Sequence, residues 1–148
     1  MTPAGPKVFE FNARFGDPEC QVMMVLLNSD LMPALLATHS GTLERESLEW
    51  HAGAAITVVM ASRGYPGSYE KGSVIRGLDR AARRSGITVF HAGTAREKGE
   101  IVANGGRVLN VTARGETLGE ARDRAYEAIG EIDWPEGFWR RDIGWRAL

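Results

Sequence analysis

At 148 residues the chain is about one domain long, enough to bury a core. Hydrophobic residues make up 43% and charged residues 25%, and the net charge of −1 gives no bulk attraction to nucleic acid or an acidic membrane. One cysteine, Cys20, excludes an internal disulfide framework, and His39, His51 and His91 do not stand at metal-ligand spacing from one another.

Residues 7–12 alternate and carry aromatic and β-branched side chains, the pattern of a strand. Asp17 is suited to cap a helix over 18–27, with Pro18 at its first position, where a missing N–H costs nothing. That helix is nearly all apolar, which predicts burial. Its longest apolar run, Val22 to Leu27, falls far short of the ~20 residues that span a bilayer. No charged region followed by an apolar stretch opens the sequence, so the expectation is a reduced, cytoplasmic protein. Asp30 is placed to cap a second helix ending near Thr38. Residues 40–53 are charged and interrupted by glycine, as expected of a link between two subdomains.

Beyond the link, Ala54 to Ala61 reads as a buried strand, followed by a long turn-rich loop from Ser62 to Gly72. Short strands are expected at 73–76, 88–92, 100–103 and 107–113, with Asn104-Gly105-Gly106 as a tight hairpin between the last two. Thr117 and Glu120 form a capping box, and Leu118, Ala121, Ala125, Ile129 and Ile132 then recur on one helical face. The second half is therefore an α+β arrangement, an antiparallel sheet with one covering helix.

Several residues carry the types that chemistry uses. Glu10 and Asn12 leave the same face of the first strand, where a carboxylate and an amide oxygen suit a hard cation such as Mg²⁺. Arg14 joins that face and suits an anion. Spacing by itself favours the plainer alternative, an exposed polar face with a salt bridge. The glycines, tyrosines and Lys71 of the 62–72 loop fit a lid over a substrate and equally a long connection. The order Lys71-Gly72-Ser73 is not a P-loop, and Gly-x-Gly-x-x-Gly is absent. Arg107, after two glycines at a strand start, suits a phosphate or a surface ion pair. Cys20 and His91 read as packing and hydrogen-bonding residues.

Phe9-Glu10-Phe11-Asn12-Ala13-Arg14-Phe15-Gly16-Asp17-Pro18-Glu19 resembles the metal-binding strand and following helix of the phosphoribosylamine–glycine ligase (glycinamide ribonucleotide synthetase) family. Gly64 to Gly72, Val89-Phe90-His91-Ala92-Gly93-Thr94, Asn104-Gly105-Gly106-Arg107-Val108-Leu109 and Arg141-Asp142-Ile143-Gly144-Trp145-Arg146 resemble further motifs of that family, in the same order. The resemblance implies residues 1–47 as the end of an ATP-grasp domain and residues 48–148 as a β-rich C-terminal domain. It implies Mg²⁺ or Mn²⁺ at Glu10 and Asn12, ATP as co-substrate, Arg14 as a catalytic residue at the acyl phosphate or the substrate phosphate, and Arg107, Lys71, Gly64 and Asp17 on the substrate side. The substrates it implies are glycine and 5-phosphoribosylamine, with no nucleic-acid or membrane partner. Family members are much longer. The expectation is thus the C-terminal portion of a ligase of purine biosynthesis, inactive alone, which binds the remaining portion or itself. The alternatives are a non-catalytic interaction module and one piece of a split ligase. On this reading the sheet that covers helix 18–27 belongs to the preceding portion.

Overall fold

The computed structural model of the protein describes Pro3, residues 5–8 and residues 11–148. The expected strand at 7–12 falls partly outside these residues, and the described part of it (7, 8, 11 and 12) is irregular. Helices α1 (Glu19–Leu26) and α2 (Met32–Ser40) come first, then a single 3₁₀ turn at Leu43–Arg45. The remainder runs β1 (Ala54–Ser62), β2 (Val74–Ile75), α3 (Leu78–Ala82), β3 (Ile87–His91), β4 (Thr94–Glu97), β5 (Glu100–Ala103), β6 (Arg107–Gly115), α4 (Leu118–Gly130) and β7 (Gly137–Phe138). A 3₁₀ turn at Trp145–Ala147 follows.

The strands form two antiparallel sheets: a four-stranded one in the order β3-β6-β1-β7 and a three-stranded one in the order β2-β5-β4. Ile56, Val58 and Met60 of β1 stand opposite Ala113, Val111 and Leu109 of β6. With α4 residues Ala121, Ala125, Ala128 and Ile129 they form the core. Alternation puts Thr57 and Val59, with their partners Thr112 and Asn110, on the opposite face. The Thr57 and Thr112 hydroxyls hydrogen-bond across the strands at 2.7 Å. Helix α4 starts as its capping residues predict, the Glu120 N–H donating to Thr117 Oγ1 at 3.2 Å. The Glu120 carboxylate accepts from the Glu116 N–H at 2.7 Å, one residue before the cap.

Four expectations change. Asn104-Gly105-Gly106 is not a hairpin turn, because β5 and β6 lie in different sheets. These residues carry the chain from one sheet to the other. The tight hairpin joins β4 to β5, where Glu97 pairs with Glu100 and both Lys98 (φ 49°) and Gly99 (φ 87°) take the left-handed backbone that a two-residue turn of this kind requires. Asp17 does not cap α1. The helix begins after Pro18 without a side-chain cap, and the Cys20 N–H donates to the Gly16 carbonyl at 2.9 Å.

Nor is α1 fully buried, since none of its residues is. It packs on β1 and β6 of this same chain, so part of the sheet that covers it lies here and not in a preceding portion. The Asn28 N–H donates to the Glu49 carbonyl and the His51 N–H to the Leu26 carbonyl, folding residues 49–51 back onto the end of α1.

Candidate functional site

The C-terminal end of β1, the start of β6, the 63–72 loop and the tail after β7 meet at one end of the larger sheet. β1 and β6 pair regularly up to Met60 and Leu109, and then the register shifts so that Ala61 stands opposite Arg107. Without the extra residue, Val108 would face Ala61 and Arg107 would project toward the α4 side. The bulge instead buries Val108 in the core and puts Arg107 on the face that α1 covers. There the guanidinium donates to the Asp17 carboxylate at 2.8 Å and to the Asp17 carbonyl at 3.3 Å.

The next residue, Pro18, lines a pocket of 410 Å³ with Thr57, Val59 and Ala61 below it and Tyr65, Phe138 and Trp139 as aromatic walls. Arg107 and Arg140 supply its charge. Each guanidinium already binds a carboxylate. Arg140 donates to both oxygens of Asp142, from Nε at 2.8 Å and from Nη2 at 2.6 Å. The Tyr126 hydroxyl donates to the Arg140 carbonyl at 2.8 Å and accepts from the Ile143 N–H at 3.2 Å, which ties this part of the tail to α4.

The hydrogen bond from Arg140, reinforced by its charge, holds the Asp142 carboxyl below the ordinary aspartate value, and the same bond raises Arg140. A carboxylate depressed in the folded state favours folding above its unfolded pKa, and the benefit is lost as pH falls through the depressed value. Acid titration followed by the fluorescence of the tail tryptophans should therefore show a step below the ordinary aspartate range, and Asp142→Asn should remove it. A step in the same place in both proteins would refute the assignment.

Glycines set the tight contacts around this end of the sheet. Gly106 lies beneath the rings of Tyr65 and Tyr69, whose centroids are 6.5 Å apart. Gly64 (φ 100°) has the left-handed backbone of the turn that starts the loop, and its Cα faces the Ser68 carbonyl. Gly93 and Gly105 cross backbone against backbone: the Gly93 N–H donates to the Arg107 carbonyl at 3.0 Å and the Asn104 N–H to the Gly93 carbonyl at 2.7 Å.

Of the residues expected from the sequence, Asp17 and Arg107 are brought together from 90 positions apart, and Gly64 begins the loop that carries Tyr65 beside them. Lys71 is elsewhere, in a second groove of 680 Å³ with Arg63, Glu70, Ser73 and Glu136. Ala61 borders the first pocket and Ser62 the second, and adjacent strand residues point to opposite faces. Asn12 and Arg14 are exposed, and Arg14 donates to the Asn12 amide oxygen at 2.7 Å. Glu10 lies outside the described residues. Among those described, no group of three or more histidine, cysteine, aspartate or glutamate residues is placed to hold a metal ion, and no helix is long and apolar enough to cross a membrane. Arg140, Asp142 and Trp139 were not expected as site residues, although Asp142 lies in the run Arg141 to Arg146 that resembles the family. Their only signal is a short run of aromatic and charged residues, which says nothing of where the tail returns.

The phosphoribosylglycinamide synthetase C-domain family matches residues 55–146. The chain is 60% identical over 148 residues to phosphoribosylamine–glycine ligase of Mesorhizobium japonicum, covering 100% of this chain and 35% of that protein. It is 60% identical over 145 residues to the chloroplastic phosphoribosylamine–glycine ligase of Arabidopsis thaliana, covering 97% of this chain and 27% of that one. Its fold matches the crystal structure of phosphoribosylamine–glycine ligase from Thermotoga maritima with a TM-score of 0.78 at 37% identity, over 95% of this chain and 34% of that one. The chain thus spans 35% or less of the length of these relatives. The similarity extends through the residues before β1 as well as the two-sheet core, and the chain belongs to the phosphoribosylglycinamide synthetase family, whose C domain it carries.

Proposed function

We propose that the chain acts as the C-terminal part of a phosphoribosylamine–glycine ligase, which joins glycine to 5-phosphoribosylamine at the expense of ATP in purine biosynthesis in the cytoplasm. The observation that carries this reading is the 60% identity to a protein of that name over all 148 residues, including the segment with Asn12 and Arg14. In such a reaction a glycine carboxylate oxygen attacks the γ-phosphorus of ATP and ADP leaves. The amine nitrogen of phosphoribosylamine then attacks the acyl carbon of glycyl phosphate, and phosphate leaves with loss of a proton from nitrogen.

Asn12 fits a hard divalent cation in donor chemistry: its amide oxygen is exposed, and in this structure it faces the positive guanidinium of Arg14. Glu10 and Asn12 would hold Mg²⁺ or Mn²⁺, which when bound offsets the charge of the ATP phosphates. Arg14, two residues further on, orients the Asn12 side chain and presents its remaining N–H groups to a phosphoryl or carboxylate oxygen. Arg107, Asp17, Gly64 and Lys71 are proposed for the substrate side. The bounds 1–47 and 48–148 are likewise proposed as the end of the ATP-grasp domain and the C-terminal domain.

ADP formation that depends on both glycine and 5-phosphoribosylamine tests this reading. The chain alone should give none, since it spans only 35% of the ligase it matches and so lacks most of the proposed ATP-grasp domain. Mixed with the complementary portion of the Mesorhizobium japonicum ligase it should restore turnover, and Asn12→Ala should lower that turnover at least about tenfold and raise the Mg²⁺ requirement. Wild-type rates with Asn12→Ala would remove Asn12 from the metal site.

A second reading, a docking module without catalysis, is favoured by the apolar side chains left in solvent before β1. Phe11 is 89% exposed, Leu36 63% and Met32 55%. Turnover in the mixture above rules it out.

A further inference from the structure

We propose that Arg107 and Asp17 are a positioning pair, through which the C domain sets the place of the segment that carries Asn12 and Arg14. The inference rests on the proposed ligase reading only in giving that segment a chemical role; the docking itself is a matter of geometry.

Three independent features converge on it. The β-bulge at Met60/Ala61, which also buries Val108, is what turns Arg107 to the α1 side of the sheet. Arg107 then contacts Asp17 twice, at the carboxylate and at the main-chain carbonyl, so it fixes the backbone as well as the side chain. Asp17 stands at the joint between the irregular segment 11–18 and α1, and Pro18, the next residue, lines the pocket over Thr57, Val59 and Ala61. The carboxylate that the sequence reads as a helix cap is thereby diverted 90 residues along the chain, and α1 is left without a side-chain cap. That loss of a local interaction is understandable if the distant one has a purpose.

The side chains of the pair are 40% and 50% exposed, so their attraction is screened by solvent and salt. An exposed pair of this kind changes a local equilibrium by roughly fivefold at most. It therefore biases where the segment sits and leaves α1 packed by its apolar contacts.

Hydrogen exchange of the full 148-residue chain, followed by mass spectrometry without substrate, tests the proposal. Arg107→Ala and Asp17→Asn should each speed exchange in residues 12–20 by about three- to fivefold. The double variant should be no faster than either single one. The exchanged pair Asp17→Arg/Arg107→Asp should recover part of the protection. Raising the ionic strength to about 1 M should speed the wild type in the same segment and leave the variants unchanged. Exchange in β1 and α4 should be the same throughout. Unchanged exchange in the single variants, additive effects in the double one, or a rise spread over β1 and α4 would each overturn the pair as a positioning device. No step depends on catalysis, so failure of the ligase reading shows only in the ADP assay and failure of the pair only in the exchange.

Discussion

Leu109→Ala is expected to lower the unfolding free energy by about 3 kcal/mol and the melting temperature by about 10 °C. Leu109 is fully buried in β6, the strand flanked by β1 on one side and β3 on the other, opposite Met60 and His91. The substitution removes apolar contacts from the centre of the core and leaves a cavity that two paired neighbours keep from collapsing. Folded domains have only about 5–15 kcal/mol of stability, so the loss is a large fraction of the total. Leu36→Ala, at a leucine 63% exposed on α2, provides the contrast and should change stability by no more than about 0.5 kcal/mol. Chemical denaturation of the two variants measures the difference. A loss below about 1 kcal/mol for Leu109→Ala would mean that the core of the larger sheet is not where it is placed here.

Gly93→Ala should be nearly as damaging, by about 2–3 kcal/mol, although it adds only a methyl group. A Cβ at Gly93 would stand 2.6 Å from the Arg107 carbonyl oxygen and 2.8 Å from the Gly105 Cα. Both are main-chain atoms, so no side-chain rotation relieves the clash. The two backbones must separate, and the hydrogen bonds that join Gly93 to Arg107 and Asn104 lengthen with them. Because Arg107 is one of the displaced residues, protection of residues 12–20 should fall in the same variant. Gly130→Ala is the control: no atom lies within 4 Å of a Cβ there, and at the last residue of α4 the change should be neutral or stabilising by up to about 1 kcal/mol. Equal stability of the two glycine variants in thermal melts would show that the crossing is not tight.

The amino-acid sequence by itself determined the elements whose causes are local. The short apolar and β-branched run Ala54 to Ala61 specified β1 as a buried strand, because a run of that length and composition suits a strand covered on both faces. Thr117, Glu120 and the apolar spacing of α4 specified that helix, since cap and periodicity both act within a few residues. The family was legible for a related reason: its motifs are contiguous runs, from Phe9 to Glu19 and from Asn104 to Leu109.

What only the tertiary structure decided is which of these runs meet. Asn104-Gly105-Gly106 has the composition of a hairpin turn, yet its glycines answer to Gly93 and to the Tyr65 ring, neighbours distant in the chain. Asp17 has the chemistry of a helix cap, and a guanidinium at 2.8 Å draws its carboxylate away because a charged partner binds more strongly than a neutral N–H. That guanidinium is within reach only through a bulge of one residue in β6, which reverses the face of Arg107. A shift of one position exchanges the two faces of a strand, and register is set by packing among strands, so no local pattern in the chain contains it.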